Sequence, residues 1–139
     1  MKGKWIGKYW FSGIVPDSLK DRKAEFEIII ESFVNSKISG KVSDNIETGG
    51  TSGIGIISGK IKDNKVKFVK RMPVKTSVFR DGTRVEEKKP HRPIYYSGIM
   101  DSESNFIKGT WKFKRGIGFV NGRLVIYPRT RGEWEMKRA

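Results

Sequence analysis

The sequence predicts an all-β fold, a single antiparallel up-and-down β-barrel of about eight strands, on two observations. Apolar and polar residues alternate with a period of two along most of the chain, the mark of half-buried antiparallel strands. The alternating runs are separated by turn dipeptides, Asp63-Asn64, Asp81-Gly82 and Asn121-Gly122, and the last two are favoured hairpin turns. A length of 139 residues suits one domain with one core, so the barrel is expected to span residues 1–139.

The first strand is read at Lys4–Phe11, where Trp5, Tyr9 and Phe11 share one face and Lys4 and Lys8 the other. Helix-start signals (Pro, Asp, Ser) occur in Pro16–Lys23, so at most one short helical turn is expected, and there. Ala24–Glu31 sets Phe26, Ile28 and Ile30 against Glu25, Glu27 and Glu31. Ser36–Ser43 sets Ile38, Gly40 and Val42 against Lys37 and Lys41, and Gly53–Lys62 follows as a Gly- and Ile-rich strand. Lys65–Arg71 opposes Val66 and Phe68 to Lys65, Lys67 and Arg71. Ile94–Met100 and Ser104–Lys114 come next, the latter with Ile107, Gly109, Trp111 and Phe113 on one face. Gly132–Lys137 closes the series with Trp134 and Met136 inward. The Asp-Gly and Asn-Gly turns suggest extra hairpins at Val78–Val85 and Ile117–Tyr127, which raises the count from eight strands toward ten.

Composition narrows the function classes. Eight Phe, four Trp and four Tyr supply core area although hydrophobic residues are only 36% of the chain. With no cysteine, disulfides, thiolate metal sites and cysteine nucleophiles are excluded. The longest apolar runs, such as Ile28-Ile29-Ile30, fall far short of the ~20 residues that span a bilayer. Met1-Lys2-Gly3-Lys4 precedes no apolar segment of the kind a signal peptide carries, so no membrane span and a cytoplasmic location are expected.

Gly-x-Trp occurs three times, as Gly3-Lys4-Trp5, Gly109-Thr110-Trp111 and Gly132-Glu133-Trp134, and Arg138 follows the last strand. A first-strand Gly-x-Trp, about eight alternating strands and a terminal Arg resemble the calycin barrels, which include lipocalins, fatty-acid-binding proteins and avidins. The run from Tyr95-Tyr96-Ser97-Gly98 to Gly132-Glu133-Trp134-Glu135-Met136 is similar to small bacterial lipocalin/avidin-like domains. The resemblance implies that Trp5 plugs one end of the barrel and Arg138 packs across it. It implies a fold and no particular ligand.

An eight-stranded barrel has an interior just wide enough to be filled by side chains or to hold one small ligand. The alternation points Trp5, Tyr9, Phe26, Phe68, Tyr96, Trp111 and Trp134 inward. Two readings follow: a pocket lined by Tyr9, Phe26, Phe68, Tyr96, Trp111 and Trp134, or a solid core. Gly7, Gly40, Gly55, Gly98 and Gly109 remove side-chain volume from the strands and lean toward a pocket.

The net charge is +14, and residues 60–92 hold 12 basic against 4 acidic side chains. Arg71, Arg80, Arg84 and Arg92 are therefore candidate contacts for an anionic head group. The same segment sets Lys65, Lys67, Lys70, Lys75, Lys88 and Lys89 beside Phe79, Tyr95 and Tyr96, the mixture of cations and rings that a single-stranded nucleic acid groove uses. A solvated strand face explains the charge equally simply. His91, the one histidine, lies between Pro90 and Pro93 and reads as a loop residue rather than a metal or haem ligand. The carboxylates mostly alternate outward, so no buried acid or base is expected and no catalytic set is read. The expectation is a non-enzymatic barrel that binds a small molecule, a partly apolar anion among the candidates, with no cofactor or metal. Surface binding of nucleic acid or another polyanion is the alternative.

Overall fold

Alternating side chains make each strand two-faced, and closing the sheet on itself buries one face while leaving no edge. A computed structural model describes residues 2–12, 23–48, 50, 52–73, 75–78, 84–87, 93–113, 116–120, 122–127 and 131–139, the strands at 75–78, 84–87, 116–120 and 123–127 by backbone alone. Twelve strands are described: β1 (Gly3–Phe11), β2 (Ala24–Val34), β3 (Lys37–Asp44), β4 (Ile54–Lys62), β5 (Lys65–Arg71), β6 (Lys75–Val78), β7 (Arg84–Glu87), β8 (Ile94–Met100), β9 (Phe106–Lys112), β10 (Gly116–Val120), β11 (Arg123–Tyr127) and β12 (Arg131–Arg138).

Eight of them form a closed antiparallel barrel in the order β1-β12-β9-β8-β5-β4-β3-β2, so barrel neighbours are neighbours along the chain and β12 closes onto β1. The pairs β6-β7 and β10-β11 are separate two-stranded sheets, one inserted between β5 and β8, the other between β9 and β12. They occupy the two regions where extra hairpins are expected, each contributing two strands. Among the described residues the only helical turn is a 3-10 turn at Ile46–Thr48, and no helix is long and apolar enough to cross a membrane. The turn expected at Pro16–Lys23 lies outside the described residues except for Lys23, which is not helical.

The register sorts the connections into two ends. At one end β2-β3 and β4-β5 are joined by the two-residue turns Asn35-Ser36 and Asp63-Asn64, all four residues at positive φ, and β8-β9 by a turn over 101–105. Trp5 of β1 pairs there with Arg138 of β12. The other end carries the long connections 12–23, 45–53, 72–93 and 113–130, which leave from Phe11, Asp44, Arg71 and Lys112. Strand β2 runs three residues past the expected Glu31, because a register shift between Ile30 and Ser32 opens a bulge.

The inward faces form one core. Trp5, Ile28, Ile30, Ile57, Val66, Ile107, Trp134 and Met136 are each 2% exposed or less, and burial of each aliphatic side chain stabilises the fold by about 1.5–3 kcal/mol.

Candidate functional site

Among the described residues the inward face contains two charges. Lys70, the penultimate residue of β5, is 2% exposed, and the Asp44 side chain at the end of β3 is 1% exposed. The Lys70 ammonium donates to Asp44 Oδ1 at 2.6 Å, and the Tyr9 hydroxyl donates to Asp44 Oδ2 at 2.9 Å. The ammonium also stands 4.7 Å from the ring centre of Tyr9, 5.7 Å from Phe26 and 5.9 Å from Tyr96, all in cation–π range. These residues occupy the ends of β1, β2, β3, β5 and β8 that lead into the long connections, so the cluster lies at the loop-bearing end of the barrel. The expectation that no ionisable group is buried is overturned, as is the placement of Lys70 on a solvated basic face.

The signal for this cluster is present in the strand phase. Lys70 falls two residues after Phe68 and four after Val66, and Asp44 two after Val42 and four after Gly40. A buried charge is tolerated only with a partner, and here each inward charge answers the other.

Tyr96 is 3% exposed, stacked on Phe68 at 4.7 Å between ring centres and edge-on to Trp134 at 5.4 Å. Among the described residues its hydroxyl joins no hydrogen bond. Burial, and then the Asp44 charge, push its ionisation well above the ordinary tyrosine value. The interior indoles of Trp111 and Trp134 differ from it. Trp111 Nε1 donates to the carbonyls of Trp10 and Glu133, each at 3.1 Å, and Trp134 Nε1 to those of Ser97 at 3.2 Å and Thr110 at 3.1 Å.

The structure brings together all six residues expected to line the interior. Phe26, Phe68, Tyr96, Trp111 and Trp134 are buried and Tyr9 is half-buried. Rings contact rings from Phe11 through Trp111, Tyr9 and Phe26, and from Phe68 through Tyr96 and Trp134. All five glycines that pointed to a pocket, Gly7, Gly40, Gly55, Gly98 and Gly109, are instead sites of close approach. A Cβ at Gly7 would strike the Phe26 ring and the Glu135 carbonyl, and one at Gly98 would lie 2.8 Å from Trp134 Cζ2.

Of the four arginines expected to meet an anion, Arg71 is exposed on the outer wall and does not line the interior. Arg80 and Arg92 lie outside the described residues, as does His91, and Arg84 is described only as backbone of β7. At the short-turn end the Arg138 guanidinium lies 4.9 Å from the centre of Trp5, donating to the carbonyls of Lys2 at 3.3 Å and Ser104 at 3.2 Å. Among the described residues no three His, Cys, Asp or Glu side chains gather closely enough to hold a metal ion.

Comparison of the chain with protein-family models, with curated proteins and with solved structures gives no match.

Proposed function

We propose that the protein is a non-enzymatic, calycin-like barrel that binds a small, largely apolar molecule through its loop-bearing end. The observation that carries this reading is the Tyr96 hydroxyl, buried without a hydrogen-bond partner among the described residues, beside the Lys70–Asp44 pair. An unsatisfied buried hydroxyl costs about 1–3 kcal/mol, and a ligand or water that meets it recovers that energy.

The chemistry of the cluster selects the head group. Both Asp44 oxygens already accept, from Lys70 and from Tyr9. What remains is donors: the Tyr96 hydroxyl and the Lys70 ammonium protons not directed at Asp44. The complementary group is a hydrogen-bond acceptor. Because Asp44 balances Lys70, a carboxylate would bring an uncompensated charge into an apolar interior, whereas a ketone, ester or amide carbonyl would not. A neutral carbonyl therefore fits better than the anion expected from the arginines. Catalysis is not part of this reading, since the buried carboxylate is engaged at both oxygens.

Native mass spectrometry of the purified protein, followed by tryptophan-fluorescence titration with a medium-chain methyl ketone, carboxylic acid and alkane of equal length, tests it. The ketone is expected to bind tightest. Tyr96→Phe should weaken the ketone about tenfold and leave the alkane unchanged, the loss corresponding to about 1.4 kcal/mol for one hydrogen bond. A protein that carries no copurified molecule and binds none of the three would overturn the proposal.

A further inference from the structure

The outer wall of the barrel carries its charges unevenly. On the β1, β2 and β12 side lysines meet acids: Lys4 lies 3.3 Å from Glu27, Lys41 of β3 lies 4.0 Å from Glu31, and Lys8 is in register with both Glu25 and Glu135. On the β3-β4-β5 side lysine faces lysine. Lys60 is directly opposite Lys37 on one neighbouring strand and Lys67 on the other, and Lys62 is opposite Lys65. Like charges directly opposite across a strand pair are destabilising, and among the described residues Lys60, Lys62, Lys65 and Lys67 form no ion pair. Three such pairs side by side disfavour the free protein, and an anion laid across them removes the repulsion.

The same wall is concave. A groove of about 600 Å³ crosses β4, β5, β8 and β9, lined by Lys60, Lys67 and Lys112 with Tyr95 and the hydroxyls of Ser58, Ser97 and Thr110, and by no carboxylate. It continues over Lys67, Ser97 and Thr110 into a second groove of about 630 Å³, where Lys65 and Lys108 are met by Glu133 and Glu135, so the unbalanced positive stretch is the first groove and ends there. Tyr95 is in register with Lys112 and with Val69, so a half-buried ring sits among the cations on the outer face.

We infer that this wall binds single-stranded nucleic acid. The lysine row meets successive phosphates, and Tyr95 offers a face on which a base stacks. Both elements are what sequence-tolerant single-strand binding requires. A duplex keeps its bases stacked on one another and away from the tyrosine, and a plain polyanion has no use for the ring. The inference is independent of the barrel interior. It also moves the basic site expected at Lys65–Arg92: Lys70 and Tyr96 point inward, and Lys37, Lys60 and Lys112 take part instead.

Fluorescence anisotropy of a labelled oligothymidylate of about 12 nucleotides, between about 50 and 200 mM salt, provides the test. The protein is expected to bind at low salt. The pair Lys60→Ala and Lys67→Ala should lower the slope of log affinity against log salt by about 1.4, or 0.7 for each phosphate contact on a single strand. The pair Lys4→Ala and Lys8→Ala removes the same charge from the opposite wall and should leave the slope unchanged. Tyr95→Ala should weaken binding about tenfold at constant slope. Without nucleic acid, Lys60→Ala should melt no lower than the parent, which separates lost binding from lost folding. Absence of binding at low salt, an equal slope change from the opposite-wall pair, or undiminished binding by Tyr95→Ala with equal competition from inorganic polyphosphate would each overturn the inference.

Discussion

At the scale of single residues, Lys70 and Asp44 test how a charge survives inside a barrel. Removal of either one leaves the other buried and uncompensated, so Lys70→Met or Asp44→Leu should each cost about 3–5 kcal/mol. The double variant replaces the pair by apolar side chains and should cost clearly less than the sum, a coupling that urea-denaturation midpoints measure directly. Additive losses would mean the two charges do not depend on one another. Tyr96 supplies a pH signature. Its folded ionisation is raised above the ordinary value near 10, so the neutral form is favoured by folding. Stability linked to Tyr96 is intact below about pH 10. Above it the unfolded chain releases a proton that the folded chain retains, and stability falls by about 1.4 kcal/mol per pH unit until the folded value is passed. Tyr96→Phe should flatten that alkaline decline. Equal slopes for parent and variant between about pH 9 and 11 would refute it. Of these residues the sequence made Tyr9, Phe26 and Tyr96 legible, because ring and phase agree. Lys70 and Asp44 had the inward phase as well, but residue type outweighed position, and only the contact between β3 and β5 over the inner face of β4 reveals that they neutralise each other.

At the scale of strands and turns, the period of two was sufficient to locate all eight barrel strands to within a few residues. It failed where the backbone departs from the regular ladder. The bulge after Ile30 lets β2 continue to Val34, with Phe33 and Val34 exposed, and no alternation survives such a shift. The Asn35-Ser36 turn also escaped notice, because a two-residue hairpin turn with both φ positive ordinarily carries glycine in its second place. Ser36 holds φ at 67°, a conformation that costs a residue with a Cβ roughly 1–2 kcal/mol. Ser36→Gly should relieve that strain, offset in part by the greater freedom of glycine in the unfolded chain. The expected outcome is a net gain of up to about 1 kcal/mol and a higher melting temperature. A fall would mean that the serine contributes more than its backbone strain costs.

At the scale of the whole molecule, a barrel differs from a sheet in one pairing, that of its first strand with its last. Here β1 and β12 are separated by most of the chain, so their union is the contact with the largest closure entropy, and it forms only if something favours it locally. Trp5 and Arg138 are registered partners across that seam. The indole is fully buried, and the guanidinium lies over it while donating to the carbonyls of Lys2 and Ser104, which belong to the chain start and to the turn between β8 and β9. One side chain thus ties three segments at the short-turn end, which leaves the opposite end to carry the long connections above the charged cluster. This closing contact was foreshadowed by the Gly-x-Trp and terminal-Arg pattern. The asymmetry of the +14 charge was not, because it depends on which lysines become cross-strand neighbours. Arg138→Ala should therefore lower stability by about 1 kcal/mol through the lost cation–π contact, with a further loss from the two hydrogen bonds. Arg138→Lys should recover only part, since an ammonium can cover the ring but cannot present a planar fork to two carbonyls. The seam forms late if closure follows folding of the hairpins. Both substitutions should then accelerate unfolding while leaving the refolding rate nearly unchanged, which stopped-flow chevrons resolve. A refolding rate that falls by the full loss of stability would place closure before the transition state and contradict this order of assembly.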